Sequence, residues 1–121
     1  MINVSKSAET LQDGITNMMA GAKDDYKQNS LMNKNRELSS YCKEKLANFE
    51  SQTTIREGKK YIKVIYDRSV FAFIVKEDFK HFKKGDVLKP AGWAAPALNQ
   101  SRGNVLEGNY PIQWTGPLYL N

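Results

Sequence analysis

The fold is decided by the stretch Lys60-Tyr-Ile-Lys-Val-Ile-Tyr-Asp67 and its continuation Arg68-Ser-Val-Phe-Ala-Phe-Ile-Val-Lys76. Both segments are rich in β-branched and aromatic residues, which favour strands. The Asp67-Arg68 pair between them is short and polar, as a tight turn requires. The sequence therefore predicts a β-hairpin over residues 60–76.

Downstream of the hairpin, the sequence indicates further short strands. A charged connector over residues 76–84 ends at Gly85-Asp86, which is typical of a turn and leads into the short strand Val87-Leu88-Lys89. The last strand is expected over Tyr110–Thr115. Pro111 indicates a position near a sheet edge, because proline cannot donate a ladder hydrogen bond.

Upstream of the hairpin, apolar residues recur at spacings of three and four, the period of an amphipathic helix. Ser7 is placed to cap a first helix, and a break is expected around Gln28–Ser30. A second helix is expected from Leu31 or Asn35 to Ser51. The predicted fold class is α+β, with an N-terminal helical hairpin followed by an antiparallel sheet of four or five strands.

Length and cysteine content bound the class of protein. The 121 residues fit a single domain, with a helical part over 1–52 and a β part carrying the ligand pocket over 53–121. The one cysteine, Cys42, cannot form an internal disulfide and is expected to be a buried structural thiol. Because the sequence has neither a signal-peptide layout nor a membrane-length apolar run, we expect a cytoplasmic protein.

The formal net charge of +5 is carried by the second half of the chain. Residues 1–58 contain eight basic and eight acidic residues, whereas residues 59–121 contain ten basic and five acidic ones. An asymmetric basic surface suits an anionic partner such as a nucleotide or a nucleic acid. A lysine-rich surface that only aids solubility would give the same count.

Catalytic chemistry is poorly supplied. His81, the single histidine, lies between Lys80 and Phe82, a context more typical of a surface residue than of a catalyst. One histidine and one cysteine cannot form a zinc cluster. The sequence also lacks a phosphate-binding loop and a dinucleotide-binding glycine fingerprint. We therefore expect a protein that is not an enzyme and that uses no cofactor and no metal.

Binding chemistry is concentrated between Lys89 and Asn104, a segment without acidic residues. Its prolines restrict the backbone and so lower the entropy cost of binding. Trp93 offers a ring on which a base can stack, and Lys89 and Arg102 can contact phosphates. The predicted ligand-binding set is Arg56, Phe82, Lys89, Trp93, Asn99, Arg102, Gly103 and Asn104.

The other members of this set have more specific roles. Gly103 lets a ligand approach the backbone closely, and Asn99 and Asn104 can read hydroxyls or base edges. Phe82 lies among lysines and is a candidate for stacking, whereas Arg56 is within reach of a pocket rim. Structural alternatives stay open: the indole also suits a core position, and Arg102-Gly103-Asn104 also suits a simple turn.

Several motifs of this region resemble a pattern found in small phage proteins. They are Gly85-Asp-Val-Leu-Lys-Pro-Ala-Gly-Trp-Ala-Ala-Pro-Ala97, Ser101-Arg-Gly-Asn-Val105 and Trp114-Thr-Gly-Pro117. The pattern is most similar to the first Thoeris anti-defence family, phage proteins that sequester a cyclic ADP-ribose isomer made by bacterial TIR-domain immune enzymes. The likeness covers residues 70–118. Ser101 stands where alanine is usual, and Pro90 and Gly92 stand where a small alanine or serine is usual.

The resemblance implies a nucleotide sponge. Such a protein binds glyco-cyclic ADP-ribose, and other cyclic oligonucleotides in some cases, without cleaving it, and so blocks activation of the Thoeris effector. It also implies a homo-oligomer, a dimer or a trimer of dimers, in the host bacterial cytoplasm. The alternative is a phage nucleic-acid-binding accessory protein, indicated by the basic balance and the lysines around Phe82. A small hydrolase of a signalling nucleotide is the least favoured reading.

Overall fold

The computed structural model describes residues 2–33 and 40–118, with only the backbone described for residues 30–33 and Cys42. In chain order the elements are β1 (Ile2–Val4), α1 (Leu11–Asn33), α2 (Ser40–Ala47), β2 (Thr53–Glu57), β3 (Tyr61–Tyr66), β4 (Ser69–Val75), β5 (Val87–Leu88) and β6 (Tyr110–Ile112). An antiparallel four-stranded sheet has the order β2-β3-β4-β5, and β1 pairs antiparallel with β6. The predicted α+β class is confirmed.

The central hairpin forms as predicted, from β3 and β4. Its turn residues Asp67 and Arg68 have φ angles of 47° and 70°. Two successive positive φ angles are typical of the turn whose twist matches that of the flanking strands. The register between the two strands shifts at Val64/Ile65, and such a bulge increases the local twist of a sheet.

The two faces of the four-stranded sheet are covered differently. One face packs against α1, in a core that includes Ile62, Val64, Ala72 and Ile74 of the sheet and Ile15, Met18 and Ala22 of the helix. The opposite face carries a smaller apolar cluster of Phe73, Val75, Phe82 and Leu88, against which Tyr61, Val70 and Phe79 pack. The connector between β4 and β5 therefore folds back over the sheet and covers it with phenylalanines.

The helices differ from the prediction in their limits. Thr10 rather than Ser7 caps α1, because its Oγ1 accepts a hydrogen bond from the Asp13 N–H at 3.1 Å. The helix then continues through the expected break at Gln28–Ser30. Tyr26, just before this point, is buried, and its packing holds the helix in place although the polar residues that follow have a weak helix preference. The second helix ends at Ala47 rather than Ser51.

The amino-terminal part is not purely helical. The strand β1, which the sequence did not predict, precedes α1 and pairs with β6 at the other end of the chain. The segment that joins the two helices lies outside the described residues, as does the environment of Cys42, so the predicted helical hairpin is not clearly formed. The final strand also ends at Ile112 rather than Thr115.

The β1–β6 pair packs closely on α1. A Cβ atom at Gly21 would lie 2.8 Å from Cγ2 of Val4 and 3.1 Å from Cγ2 of Ile112, so this contact requires glycine. Beyond β6, the buried Asp25 accepts a hydrogen bond from the Trp114 N–H at 3.0 Å. None of the described helices is long and apolar enough to cross a membrane.

Candidate functional site

The predicted binding segment is a closed loop with its base on β5. The Val87 N–H donates to the Gly103 carbonyl, and the Arg102 N–H donates to the Val87 carbonyl, each at 2.8 Å. Further out, the Ala97 N–H donates to the Lys89 carbonyl at 2.8 Å. These bonds hold the two sides of the loop together and place Trp93 at its tip.

Trp93 is the most informative residue of this loop. Its side chain is 51 % exposed, so the alternative of a core position is wrong. The Nζ atom of Lys63 lies 4.6 Å from the centroid of the Trp93 ring, which is within the range of a cation–π contact. The indole is therefore fixed beside a positive charge while half of its surface stays accessible to a ligand.

The strand register brings a second cation to the same face. Arg56 on β2 is directly opposite Lys63 on β3, and Lys63 is directly opposite Phe73 on β4. Side chains of directly paired residues lie on one face of a sheet. Arg56 is exposed, and neither it nor Lys63 forms an ion pair with a described residue. We call Arg56, Lys63 and Trp93 the Trp93 surface.

The sequence did not single out Lys63, because its place beside Arg56 follows only from the pairing of β2 with β3. The turn between β2 and β3 is closed by the Gly58 N–H, which donates to the Tyr61 carbonyl at 2.8 Å. Counting outward from this pair in an antiparallel ladder brings Arg56 opposite Lys63. This pairing could not be predicted, because the sequence did not indicate a strand at Thr53–Glu57.

Three other predicted residues, Lys89, Asn99 and Arg102, also lie together, but their hydrogen bonds go to the protein itself. Lys89 Nζ donates to the Pro117 carbonyl at 2.9 Å, and Arg102 Nε donates to the Leu118 carbonyl at 3.2 Å. Arg102 Nη1 also donates to Asn99 Oδ1 at 2.8 Å. The two cations thus fasten the chain after β6 to the loop.

The electrostatics of this second group follow from its partial burial. Removal from water lowers the pKa of Lys89 below its ordinary value, and the nearby charge of Arg102 lowers it further. His81 is exposed, as expected, and its Nε2 is 2.9 Å from the Asn99 carbonyl. This hydrogen bond joins the β4–β5 connector to the loop.

The predicted stacking role of Phe82 is wrong. The ring is 2 % exposed and lies in the smaller apolar cluster, 5.4 Å from the ring of Phe79 between centroids. The neighbouring residues Lys83 and Lys84 are exposed. The hydrophobic effect decides the outcome, because the connector turns its phenylalanines inward and leaves its lysines in water.

Gly103 and Asn104 are also structural rather than open to a ligand. The buried Asn104 amide donates to the Lys84 carbonyl and to Asp86 Oδ1, and its Oδ1 accepts from the N–H groups of residues 106 and 107. A Cβ atom at Gly103 would lie 2.4 Å from Cβ of Tyr110, so glycine is needed for packing. The prediction that the Asn104 side chain forms hydrogen bonds with a ligand is therefore wrong.

The structure thus divides the predicted set into three groups. Arg56 and Trp93 belong to the Trp93 surface, where Lys63 joins them. Lys89 and Arg102 donate to the carbonyls of residues 117 and 118, and Asn99 accepts from Arg102. The remaining three residues are buried or packed. Among the described residues no group of histidine, cysteine, aspartate or glutamate side chains is arranged to hold a metal ion.

Fold and site together define an α+β domain with a basic and aromatic surface on one face of its main sheet. Residues 2–120 match the sequence model of DUF7717, a family of unknown function, and the chain therefore belongs to that family. No curated protein matches the chain, and no solved structure matches it either.

Proposed function

We propose that this protein binds a nucleotide at the Trp93 surface and sequesters it without cleaving it. The observation that carries the proposal is the 4.6 Å contact between Lys63 Nζ and the half-exposed Trp93 ring, with Arg56 directly opposite Lys63. An exposed indole can stack on any base, and adjacent cations can neutralise phosphates. The combination suits a small anionic ligand that carries a base.

The resemblance noted in the sequence supports a particular class of ligand. Glyco-cyclic ADP-ribose carries about two negative charges, which two cations such as Arg56 and Lys63 can balance. On this proposal the protein is a phage anti-defence protein in the host bacterial cytoplasm. It is a homo-oligomer that keeps the nucleotide from the Thoeris effector.

Sequestration rather than cleavage is supported by the chemistry of the surface. A guanidinium and an ammonium carry no lone pair that can take up a proton and so are poor general bases at neutral pH, and an indole has no acid–base role there. His81, the single histidine of the sequence, already has Nε2 within hydrogen-bond distance of the Asn99 carbonyl.

Calorimetric titration with glyco-cyclic ADP-ribose tests the proposal. Wild type should bind at micromolar concentrations, and Trp93→Ala and Lys63→Gln should each weaken binding by about tenfold, because each removes one of the stabilising contacts. Lys6→Gln removes an equal charge from an exposed site before α1 and should bind as wild type does. Intact nucleotide recovered after heat denaturation separates a sponge from a hydrolase. Absence of binding by wild type contradicts the proposal.

One observation favours a second candidate, single-stranded nucleic acid. The Trp93 surface is open, since Arg56 is exposed and Trp93 is half exposed, and an open basic surface can accommodate a strand of any length. This function predicts steeply salt-dependent binding to an oligonucleotide, measured by fluorescence anisotropy. Lys63→Gln should then reduce the slope of log affinity against log salt by about one.

A further inference from the structure

The strand β2 forms a free edge of the four-stranded sheet. It pairs with β3 on one side only, whereas the other outer strand, β5, is bonded to residues 102 and 103. Four of the five residues of β2 are exposed, and Ile55 at its centre is 37 % exposed. No proline or bulge interrupts the strand, so it lacks two of the devices that keep edges from pairing.

The direction of each backbone group on β2 follows from the ladder. The Gly58 N–H donates to the Tyr61 carbonyl, and the Asp67 N–H donates to the Gln52 carbonyl. Because antiparallel pairs alternate, the even-numbered residues point toward β3, and residues 53, 55 and 57 point away from it. The Thr53 N–H donates to the Glu50 carbonyl. No described residue accepts from the N–H groups of Ile55 and Glu57.

The side chain of Ile55 adds an apolar surface to the same edge. It lines a groove of about 250 Å³ together with Ile15, Met19 and Phe49, on the face of the sheet that packs against α1. Exposed Thr16 and Ala20 of α1 also line this groove. The free edge thus combines unpaired backbone groups with apolar area that a partner could cover.

We propose that β2 pairs antiparallel with β2 of a second copy of this chain, across a two-fold axis at Ile55. In this register the two Ile55 residues exchange two backbone hydrogen bonds, and Glu57 of each copy lies opposite Thr53 of the other. The Ile55 side chains then meet on the α1 face and join the two grooves, each of which is also lined by Glu50 and Thr53, into one interface. This pairing joins the two sheets into one sheet of eight strands.

A second copy fits this edge for reasons of register and charge. An isologous pairing uses the same five residues twice, so the N–H groups of Ile55 and Glu57 in each copy find outward carbonyls of the other copy. An axis at Arg56 or at Glu57 would place like charges directly opposite each other, which destabilises a strand pair. The axis at Ile55 instead places Arg56 opposite Thr54, a neutral residue.

The same pairing has an electrostatic consequence on the opposite face. The Arg56 residues of the two copies become diagonal neighbours, with Cα atoms about 7–8 Å apart. Their repulsion opposes the dimer, and an anion between them relieves it. Inorganic pyrophosphate should therefore tighten the wild-type dimer and leave the Arg56→Gln dimer unchanged.

Analytical ultracentrifugation at micromolar to millimolar protein concentrations tests whether the chain dimerises through β2. Wild type should dimerise, and Ile55→Pro should weaken the dimer by about tenfold or more, because it removes both central N–H donors while keeping the bonds to β3. Tyr41→Ser removes a residue on α2 that is 70 % exposed, and it should leave the dimer intact. A monomeric wild type, or a dimer lost with Tyr41→Ser and kept with Ile55→Pro, overturns the proposal.

Cross-linking tests the register without depending on the stability of Ile55→Pro. In a Cys42→Ser background, Ile55→Cys places two thiols on residues whose Cα atoms are about 5.5 Å apart, within reach of a disulfide. Glu57→Cys places its two Cα atoms about 13 Å apart along the strands, beyond that reach. The proposal requires a linked dimer for the first variant and none for the second, and the reverse result excludes this register. The pairing of β2 does not require nucleotide binding, so the dimer and the binding of nucleotide at the Trp93 surface are measured separately and either one can fail while the other holds.

Discussion

The tip and the base of the loop from Lys89 to Asn104 have opposite environments, although the sequence predicts ligand binding at both. At the tip, Trp93 is half exposed and lies beside Lys63. At the base, Asn104 is 7 % exposed, and its side-chain amide forms hydrogen bonds with backbone groups of residues 84 and 106 of the same chain. The difference teaches that a residue able to bind a ligand does so only where the fold leaves its polar atoms or its ring unused.

Phe82→Ala gives the largest expected effect and tests the buried side of this comparison. Removing a ring from the smaller apolar cluster leaves a cavity and should cost about 4 kcal/mol in the free energy of unfolding. Urea denaturation measures this loss. Nucleotide affinity per folded molecule should stay unchanged. A Phe82→Ala variant with wild-type stability and weaker nucleotide binding would show that Phe82 contacts the nucleotide, which contradicts the account.

Asn104→Ala should have the next largest effect. It leaves the Lys84 carbonyl and two backbone N–H groups of the following turn without their amide partner, so about 3 kcal/mol of stability should be lost. The measurement is again urea denaturation, with Asn99→Ala as the matched exposed control. An unaltered unfolding midpoint would show that the base of the loop is not held as described.

Trp93→Ala should leave stability almost unchanged, within about 0.5 kcal/mol, because the residue is half exposed and belongs to neither of the buried apolar clusters. Thermal unfolding measures the stability of this variant, and calorimetry measures its expected loss of nucleotide affinity. A large loss of stability would show that Trp93 at the tip of the loop is needed for folding, as Asn104 at the base is, and would contradict the comparison.

A pH titration of stability tests Lys89 and gives the smallest effect. Its pKa is lower in the folded protein than the ordinary value of 10.5, so folding disfavours the protonated amine. Stability of wild type relative to Lys89→Gln should therefore rise as the pH increases from the lowered pKa toward 10.5. Chemical denaturation at several alkaline pH values measures this difference, and a falling difference would contradict the burial of Lys89.

The sequence predicted those parts of the fold that depend on local chemistry. The β3–β4 hairpin follows from two β-rich segments around Asp67-Arg68, and β5 follows from the turn at Gly85-Asp86. The strand β1 could not be predicted in this way. Its three residues acquire a strand conformation only by pairing with β6, more than a hundred residues later in the chain.

The candidate site was predicted only in part, for a related reason. Composition identified Trp93 and Arg56 as able to bind an anionic ligand with a base. Composition does not specify which faces of a sheet are covered, so it could not separate the exposed indole from the buried ring of Phe82. Lys63 required the β2–β3 register, which depends on a strand that the sequence analysis did not assign.

The most direct test of the central claim is the fluorescence of Trp93 in a Trp114→Phe variant, in which Trp93 is the only indole. Titration with glyco-cyclic ADP-ribose should quench this fluorescence saturably, and Lys63→Gln should shift the titration to higher concentrations. Nucleotide binding detected by calorimetry without any change in Trp93 emission would place the ligand elsewhere and contradict the account.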